Sequence, residues 1–368
     1  MGVIIVLFIR GGVMLSFISA KEAAEKWDIS QRRVAILCSE NRIEGAMMVG
    51  NMWIIPSAAK KPIDKRTVRF EKQKQISLKP FVKWVGGKSQ LVEEIEKILP
   101  ANSEKVLTKY CEPMVGGGAL FFSMLSKYDF SEFYISDINS ELINAYQVIK
   151  NDIDSLIYKL NELQLRFVPM DDNGRKNIYY SLRDRFNSMP LSSDTATEKA
   201  ALFIFLNKTC FNGLYRVNRK GQFNVPMGAY KNPTICDEQN LRNIHEALKN
   251  VVIVCGDYSL SKTFIDKNTF VYLDPPYRPI SDTSAFTSYN SDAFDDNEQY
   301  RLARFIDTIN ASGAKIVLSN SDPKNVNEDD NFFDDLYKNY KINRVEATRM
   351  INSKADKRGK INELLISN

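Results

Sequence analysis

The sequence predicts an open α/β sheet of mainly parallel strands, with a small helical module in front of it. Three observations predict this. An apparent strand from Val106 to Cys111 enters a glycine-rich turn and then a helix from about Ala119, the strand–turn–helix corner of such sheets. A second run, Phe270 to Leu273, ends in Asp274-Pro275-Pro276-Tyr277; two prolines cannot continue a strand ladder, so the acid is held at the strand's carboxyl end. The charge is also segregated. Residues 1–79 carry 14 Lys and Arg against 7 Asp and Glu, whereas the rest carries 36 against 38, which sets a cationic appendage on a nearly neutral body.

A chain of 368 residues, 44% hydrophobic and 26% charged, has the length for two or three globular domains. Its inventory excludes much chemistry. The one histidine, His245, and five dispersed cysteines argue against a Cys/His zinc site, a Ser-His-Asp triad and a disulfide framework. The same cysteine usage points to a reducing, cytoplasmic setting. Catalysis must then rest on carboxylates, amides, aromatics or a small-molecule cofactor.

Residues 1–15 are expected to be an uninformative leader: the apolar run Val3 to Ile9 is too short to span a bilayer, and Met14 offers an alternative start. Ser19 to Glu22 reads as a capping box opening a helix to about Trp27. Ser30 caps a second helix, about Gln31 to Glu40, that presents Gln31, Arg32 and Arg33 in its first turn. Gly45 and Gly50 bracket a hairpin returning through Met52 to Ile55. Two short helices followed by a hairpin, over residues 16–57, resemble a winged helix-turn-helix of the excisionase or MerR kind. Residues 58–78 read as a basic linker, with 8 basic side chains between positions 60 and 79.

Three segments of the body carry its chemistry. Phe81 to Lys88 (FVKWVGGK) lacks Walker spacing, because that pattern needs glycine where Val82 stands. Glu112-Pro113-Met114-Val115-Gly116-Gly117-Gly118 forms a cofactor-binding corner, and a strand Phe133 to Ser136 ends in Asp137, about where an acid would accept hydrogen bonds from ribose hydroxyls. In Asp274-Pro275-Pro276-Tyr277, a carboxylate and a backbone carbonyl can both accept from one exocyclic amino group, while Tyr277 stacks on the ring that bears it.

KWVGGK, EPMVGGG, the acid of SDIN and DPPY, in that order, resemble the Dam-type, α-class DNA adenine-N6 methyltransferases, including GATC methylases of the Dpn kind. The resemblance spans about residues 79–368 and takes in FNGLYR, FNVP, GAYKNP, TSAFTSY and RGK. It implies a Rossmann-like, S-adenosylmethionine-dependent methyltransferase fold with an antiparallel edge. The catalytic domain would comprise residues 79–150 and 251–368, and a mainly helical target-recognition domain residues 151–250. It implies S-adenosylmethionine held by Trp84, Gly87, Lys88, Glu112, Pro113, Gly116, Gly118, Asp137 and Asp274. Asp274, Pro275, Pro276 and Tyr277 would form the catalytic tetrapeptide around an adenine flipped from duplex DNA. No metal and no membrane enter this scheme.

From Lys199 to Cys236 there is no acidic residue, while Lys199, Lys208, Arg216, Arg219, Lys220 and Lys231 alternate with aromatics, as expected of a surface facing phosphates. The resemblance assigns DNA contacts to Lys83, Phe211, Asn212, Leu214, Arg216, Asn218, Tyr230 and Lys231, and a 5′-GATC-3′ target. Ala229 departs from it, standing where many relatives have arginine. The same resemblance makes a cognate restriction endonuclease a partner, and the nucleoid of a bacterial or phage-infected cell the place of action. Two alternatives use the same features: an adenine methyltransferase with another DNA or RNA target, and a DNA-binding regulator that senses S-adenosylmethionine.

Overall fold

The computed structural model describes residues 5–8, 14–27, 29–40, 42–50, 52–61, 78–84, 91–99, 107–278, 294–348 and 360–368. The chain divides into two compact units, residues 1–75 and 76–368.

The first unit contains strands β1 (Ile5–Phe8) and β2 (Met14–Ser19), helices α1 (Ala20–Trp27) and α2 (Gln31–Ser39), and strands β3 (Met47–Val49) and β4 (Met52–Pro56). The strands form one antiparallel sheet in the order β1-β2-β4-β3. The capping box is formed: the Ser19 backbone N–H donates to Glu22 Oε2 at 2.8 Å, and the Glu22 N–H donates to Ser19 Oγ at 3.3 Å. Ser30 Oγ accepts from the Arg33 N–H at 3.3 Å, opening α2. Ala23, Trp27, Val34, Leu37 and Ile55 make the core of this unit. The expected leader thus contributes to two strands: an apolar run too short for a membrane has the length of a sheet strand.

In the second unit, α3 (Val92–Glu96) precedes β5 (Lys109–Glu112), α4 (Ala119–Lys127), β6 (Glu132–Asp137) and α5 (Ser140–Asn151). Helices α6 (Ile153–Phe167), α7 (Asp172–Ser188), α8 (Ala196–Thr209) and α9 (Glu238–Leu248) follow. The chain then returns through β7 (Val251–Cys255), β8 (Thr269–Leu273), α10 (Asp296–Ala311), β9 (Lys315–Ser321), α11 (Phe332–Leu336), β10 (Lys341–Thr348) and β11 (Lys360–Ser367). Seven strands form a sheet in the order β10-β11-β9-β8-β5-β6-β7. Strands β5 to β9 pair in parallel, while β11 pairs antiparallel with both β9 and β10, so the last two strands form the expected antiparallel edge.

Every residue of β8 is buried, as a central parallel strand covered on both faces requires. Its side chains alternate between two cores. Phe270 and Tyr272 join Tyr110 of β5 and the helices α4, α5 and α8; Val271 and Leu273 join Cys111 and α10. Helix α8 is buried almost all round, packing on α5, α6 and α7. The helices between residues 151 and 250 share one buried cluster with the sheet, so they extend its core.

The connectivity places the site. From β5 the chain steps outward to β6 and β7, then returns to β8 on the other side of β5 and continues to β9. The crevice at the carboxyl ends of β5 and β8 is therefore a topological switch point, where open α/β sheets bind ligands.

Candidate active site

Glu112 ends β5, and Asp274 follows directly on β8, so two carboxylates flank the switch point on neighbouring strands. After Glu112 the chain turns through Pro113 into Gly116 and Gly118, with φ of +49° and +73°. A Cβ on Gly116 would lie 2.8 Å from Trp84 Cδ1, and one on Gly118 would lie 2.5 Å from the Tyr146 hydroxyl. Only glycine fits both the dihedral and the space there. Tyr146 fastens the turn by donating to the Gly116 carbonyl at 3.2 Å. The acid expected at the end of the next strand is in place: Asp137 Oδ2 accepts the Gly116 N–H at 3.0 Å, and Oδ1 accepts the Asn139 N–H at 2.9 Å. The next residue, Ile138, is 72% exposed and offers an apolar face at the same corner.

Burial pushes the Glu112 carboxyl well above its usual range; the Tyr110 hydroxyl, donating at 2.5 Å, opposes that, and the charges of Asp274 and Asp137 reinforce it. Burial raises Asp137 as well, against the lowering effect of its backbone N–H donors. The site is thus a cluster of crowded acceptors, suited to a ligand bearing cationic and hydroxyl donors. Ser319 of β9 donates to Asp274 Oδ1 at 2.9 Å and lies 2.9 Å from the Tyr272 hydroxyl. Pro275 and Pro276 carry the chain to Tyr277, whose hydroxyl donates to Glu363 Oε2 of β11 at 2.9 Å. Arg278 then grips Asp296 through two hydrogen bonds, at 2.7 and 3.0 Å, and Asp330 through one at 2.9 Å. Among the described residues no His, Cys, Asp or Glu group is arranged to hold a metal ion, and no helix is long and apolar enough to cross a membrane.

A second group of expected residues gathers around the loop after α8. Asn212 has φ of +56°, the one non-glycine residue with positive φ among those described, and Phe211 beside it is 51% exposed. The Lys83 ammonium sits 4.2 Å over the Tyr230 ring. Leu214 packs half-buried against the main core. Arg216 Nε donates to Asn224 Oδ1 at 2.8 Å. Asn218 is engaged in its own hairpin: its Oδ1 accepts from the N–H groups of Lys220 and Gln222 at 2.9 and 3.1 Å. Lys231 is exposed, and its carbonyl accepts from Arg175 at 2.9 Å. Trp84 joins the two groups, lying on the glycine turn and stacking on Tyr215 at 5.7 Å and 17°. Gly87 and Lys88 lie outside the described residues, as do TSAFTSY and most of RGK.

One expectation is corrected. Lys199 does not face phosphates: it is 5% exposed, its ammonium bonds the Phe186 and Met189 carbonyls at 2.8 and 2.5 Å, and Glu141 lies 3.3 Å away. Phe203, Phe205 and Phe223 are core residues as well. The absence of acids over this stretch reflects burial along α8, which holds Lys199 and the half-buried Lys208, and a basic loop only from Arg216 onward, because α8 passes through the middle of the helical layer.

Several positions that hold these two groups in place escape a linear reading. Asn207 could have been noticed as a lone amide in the apolar run of α8. Arg175, Ser319 and Glu363 carry little local signal, because each reaches a partner 45 to 86 residues away.

Residues 84–351 match the family described as D12 class N6 adenine-specific DNA methyltransferase. The chain is 50% identical over 295 residues to the type II methyltransferase M.MjaIII of Methanocaldococcus jannaschii, covering 80% of this chain and 100% of that one. It is 38% identical over 296 residues to the type II methyltransferase M1.LlaDCHI of Lactococcus lactis subsp. cremoris, covering 80% and 96%. It is 36% identical over 286 residues to a DNA adenine methylase of Vibrio cholerae, covering 77% and 94%.

Proposed function

The chain belongs to the D12 class of N6 adenine-specific DNA methyltransferases, enzymes that use S-adenosylmethionine, and from that premise we propose that it methylates adenine within 5′-GATC-3′ in duplex DNA by flipping the base out and transferring the methyl group directly. The observation that carries this reading is the pair of carboxylates, Glu112 and Asp274, at the switch point beside a turn only glycine can make.

The residues present suit S-adenosylmethionine, which supplies a methyl group on a sulfonium, already a good leaving group. The turn from Glu112 through Pro113 to Gly118, with Trp84 over it, would cradle this co-substrate; Asp137 would accept from hydroxyl donors and Ile138 would cover an apolar ring. The resemblance assigns Gly87 and Lys88 a share in the same binding. The Asp274 carboxylate and the Pro275 carbonyl accept hydrogen bonds from the two N–H groups of the adenine amine, which turns its nitrogen lone pair toward the methyl group. Ser319, donating to Asp274, holds that carboxylate in place. Pro276 sets the backbone for Tyr277, which stacks on the flipped base. On accepting the methyl group the amine would give up one proton to solvent. Acceleration comes from orientation and from the Asp274 carboxylate held beside a developing cation.

For the target, Phe211 and Asn212 fill the gap left by flipping, Arg216 reads a guanine edge, and Lys83, Leu214, Asn218, Tyr230 and Lys231 border the site. The exposed Gln31 and Arg32, at the start of α2, support a DNA-binding role for residues 16–57 as a helix-turn-helix, with residues 58–78 as a basic tether. Two relatives are named type II methyltransferases, and we extend to this chain a cognate restriction endonuclease as partner and the nucleoid as its place of work.

Transfer of a labelled methyl group to a GATC duplex tests the reading. Label should enter that duplex, not an altered site or RNA, and Asp274→Ala should abolish it while duplex binding persists. Label in RNA, or in a different duplex sequence, would overturn the target assignment.

A further inference from the structure

We propose that Glu363 is a positioning residue for methyl transfer, holding the ring of Tyr277 as the platform for the target adenine. The inference rests on the reading that Tyr277 stacks on that base.

Strand β11 lies antiparallel beside β9, with Glu363 opposite Ser321 and Leu365 opposite Ser319. The pleat puts Glu363 and Leu365 on one face. That face is the one carrying Tyr272 and the Ser319–Asp274 hydrogen bond, since Leu365 and Tyr272 share a core cluster. Glu363 stands one pleat farther toward the carboxyl ends of the parallel strands, at the rim of the switch point. There its Oε2 accepts the Tyr277 hydroxyl at 2.9 Å.

The chain from Asp274 to Tyr277 passes through two prolines with fixed φ, so an anchor at the phenol end fixes the whole arm, carboxylate to ring. A tyrosine ring tethered at its hydroxyl loses its swing about the first side-chain bond, the motion that would misalign a stacked base. A carboxylate acceptor also polarises the phenol and enriches its ring, which favours the positive charge that develops on the adenine amine during transfer. Both effects act on the reacting complex, so kcat should respond and the KM for S-adenosylmethionine should not.

A double-mutant cycle on the full chain tests this, with methyl transfer to a GATC duplex and the fluorescence of 2-aminopurine at the target position as readouts. Glu363→Ala and Tyr277→Phe should each lower kcat about tenfold, and the double variant should fall no further, because both remove one hydrogen bond. Glu363→Gln keeps a carbonyl acceptor at the same reach and should retain roughly a third of kcat or more. Multiplicative losses in the double variant, or an unchanged kcat in Glu363→Ala, would overturn the proposal. If Glu363→Ala does not fold, the Glu363→Gln loss decides: it should vanish in the Tyr277→Phe background, and its persistence there refutes the coupling. Tyr277→Ala separates the two levels. If it leaves kcat and fluorescence unchanged, the stacking reading fails; if it collapses both while Glu363→Ala is silent, the fault is in this inference alone.

Discussion

Asn207→Ala should damage both halves of the site from a position that is neither. The side chain is 2% exposed and makes three backbone hydrogen bonds: Oδ1 accepts the Lys83 N–H at 2.8 Å, and Nδ2 donates to the carbonyls of Lys83 at 2.8 Å and Gly213 at 3.0 Å. One amide thereby clamps the segment leading into Trp84 and the loop bearing Phe211 and Asn212 onto α8. Each such bond is worth about 1 kcal/mol net, so the loss should be about 3 kcal/mol. For a unit of this size that is a fall in the unfolding midpoint of about 5 °C. Because Lys83 leads into Trp84 over the glycine turn, and Gly213 belongs to the loop proposed to face DNA, KM should rise for both S-adenosylmethionine and DNA. The measurements are thermal unfolding and steady-state kinetics with each substrate varied in turn. Asn207→Asp should be no milder, since it keeps the acceptor for Lys83 but sets a carboxylate oxygen against two carbonyls. An unchanged midpoint, or a rise in only one KM, would refute the clamp.

Three further outcomes are expected. Gly118→Ala, which forces a Cβ into the Tyr146 hydroxyl at a φ of +73°, should abolish S-adenosylmethionine binding by calorimetry while the unit still folds cooperatively. Lys199→Met should cost about 3–5 kcal/mol, because Glu141 is left buried without its counter-charge, yet leave the salt dependence of DNA binding unchanged; Lys231→Met should do the reverse, lowering that slope by about one. The two Arg301 hydrogen bonds hold Asp257 down at about 2, so this pair contributes stability that is complete above the usual aspartate range and lost as pH falls toward 2; Arg301→Gln should weaken that acid dependence in thermal scans between pH 5 and pH 2.

The strands at the centre of the sheet were legible because a strand buried on both faces is written as a continuous apolar run, and its end is marked by the residues that cannot extend it. Phe270 to Leu273, closed by Asp274 and two prolines, is such a case, and the glycines after Glu112 are another. The capping box of Ser19 and Glu22 was legible for the same reason: both partners lie within one turn of helix. Lys199 shows where the linear reading failed. Charge alone cannot distinguish an ammonium facing solvent from one tied to Glu141 and two carbonyls inside a helical layer.

The sequence by itself determined the local chemistry: a glycine turn, an acid at each of three strand ends and an aromatic two prolines beyond the last. It also determined the parallel core, through the length and composition of each apolar run. Only the tertiary structure decided which of these groups meet. The order β10-β11-β9-β8-β5-β6-β7 sets Glu112 beside Asp274, brings Ser319 under that carboxylate, and inserts β11 so that Glu363 reaches Tyr277 across 86 residues of chain. Such pairings depend on strand order and register, which arise from burying two faces of one sheet at once, and no short window of sequence encodes them.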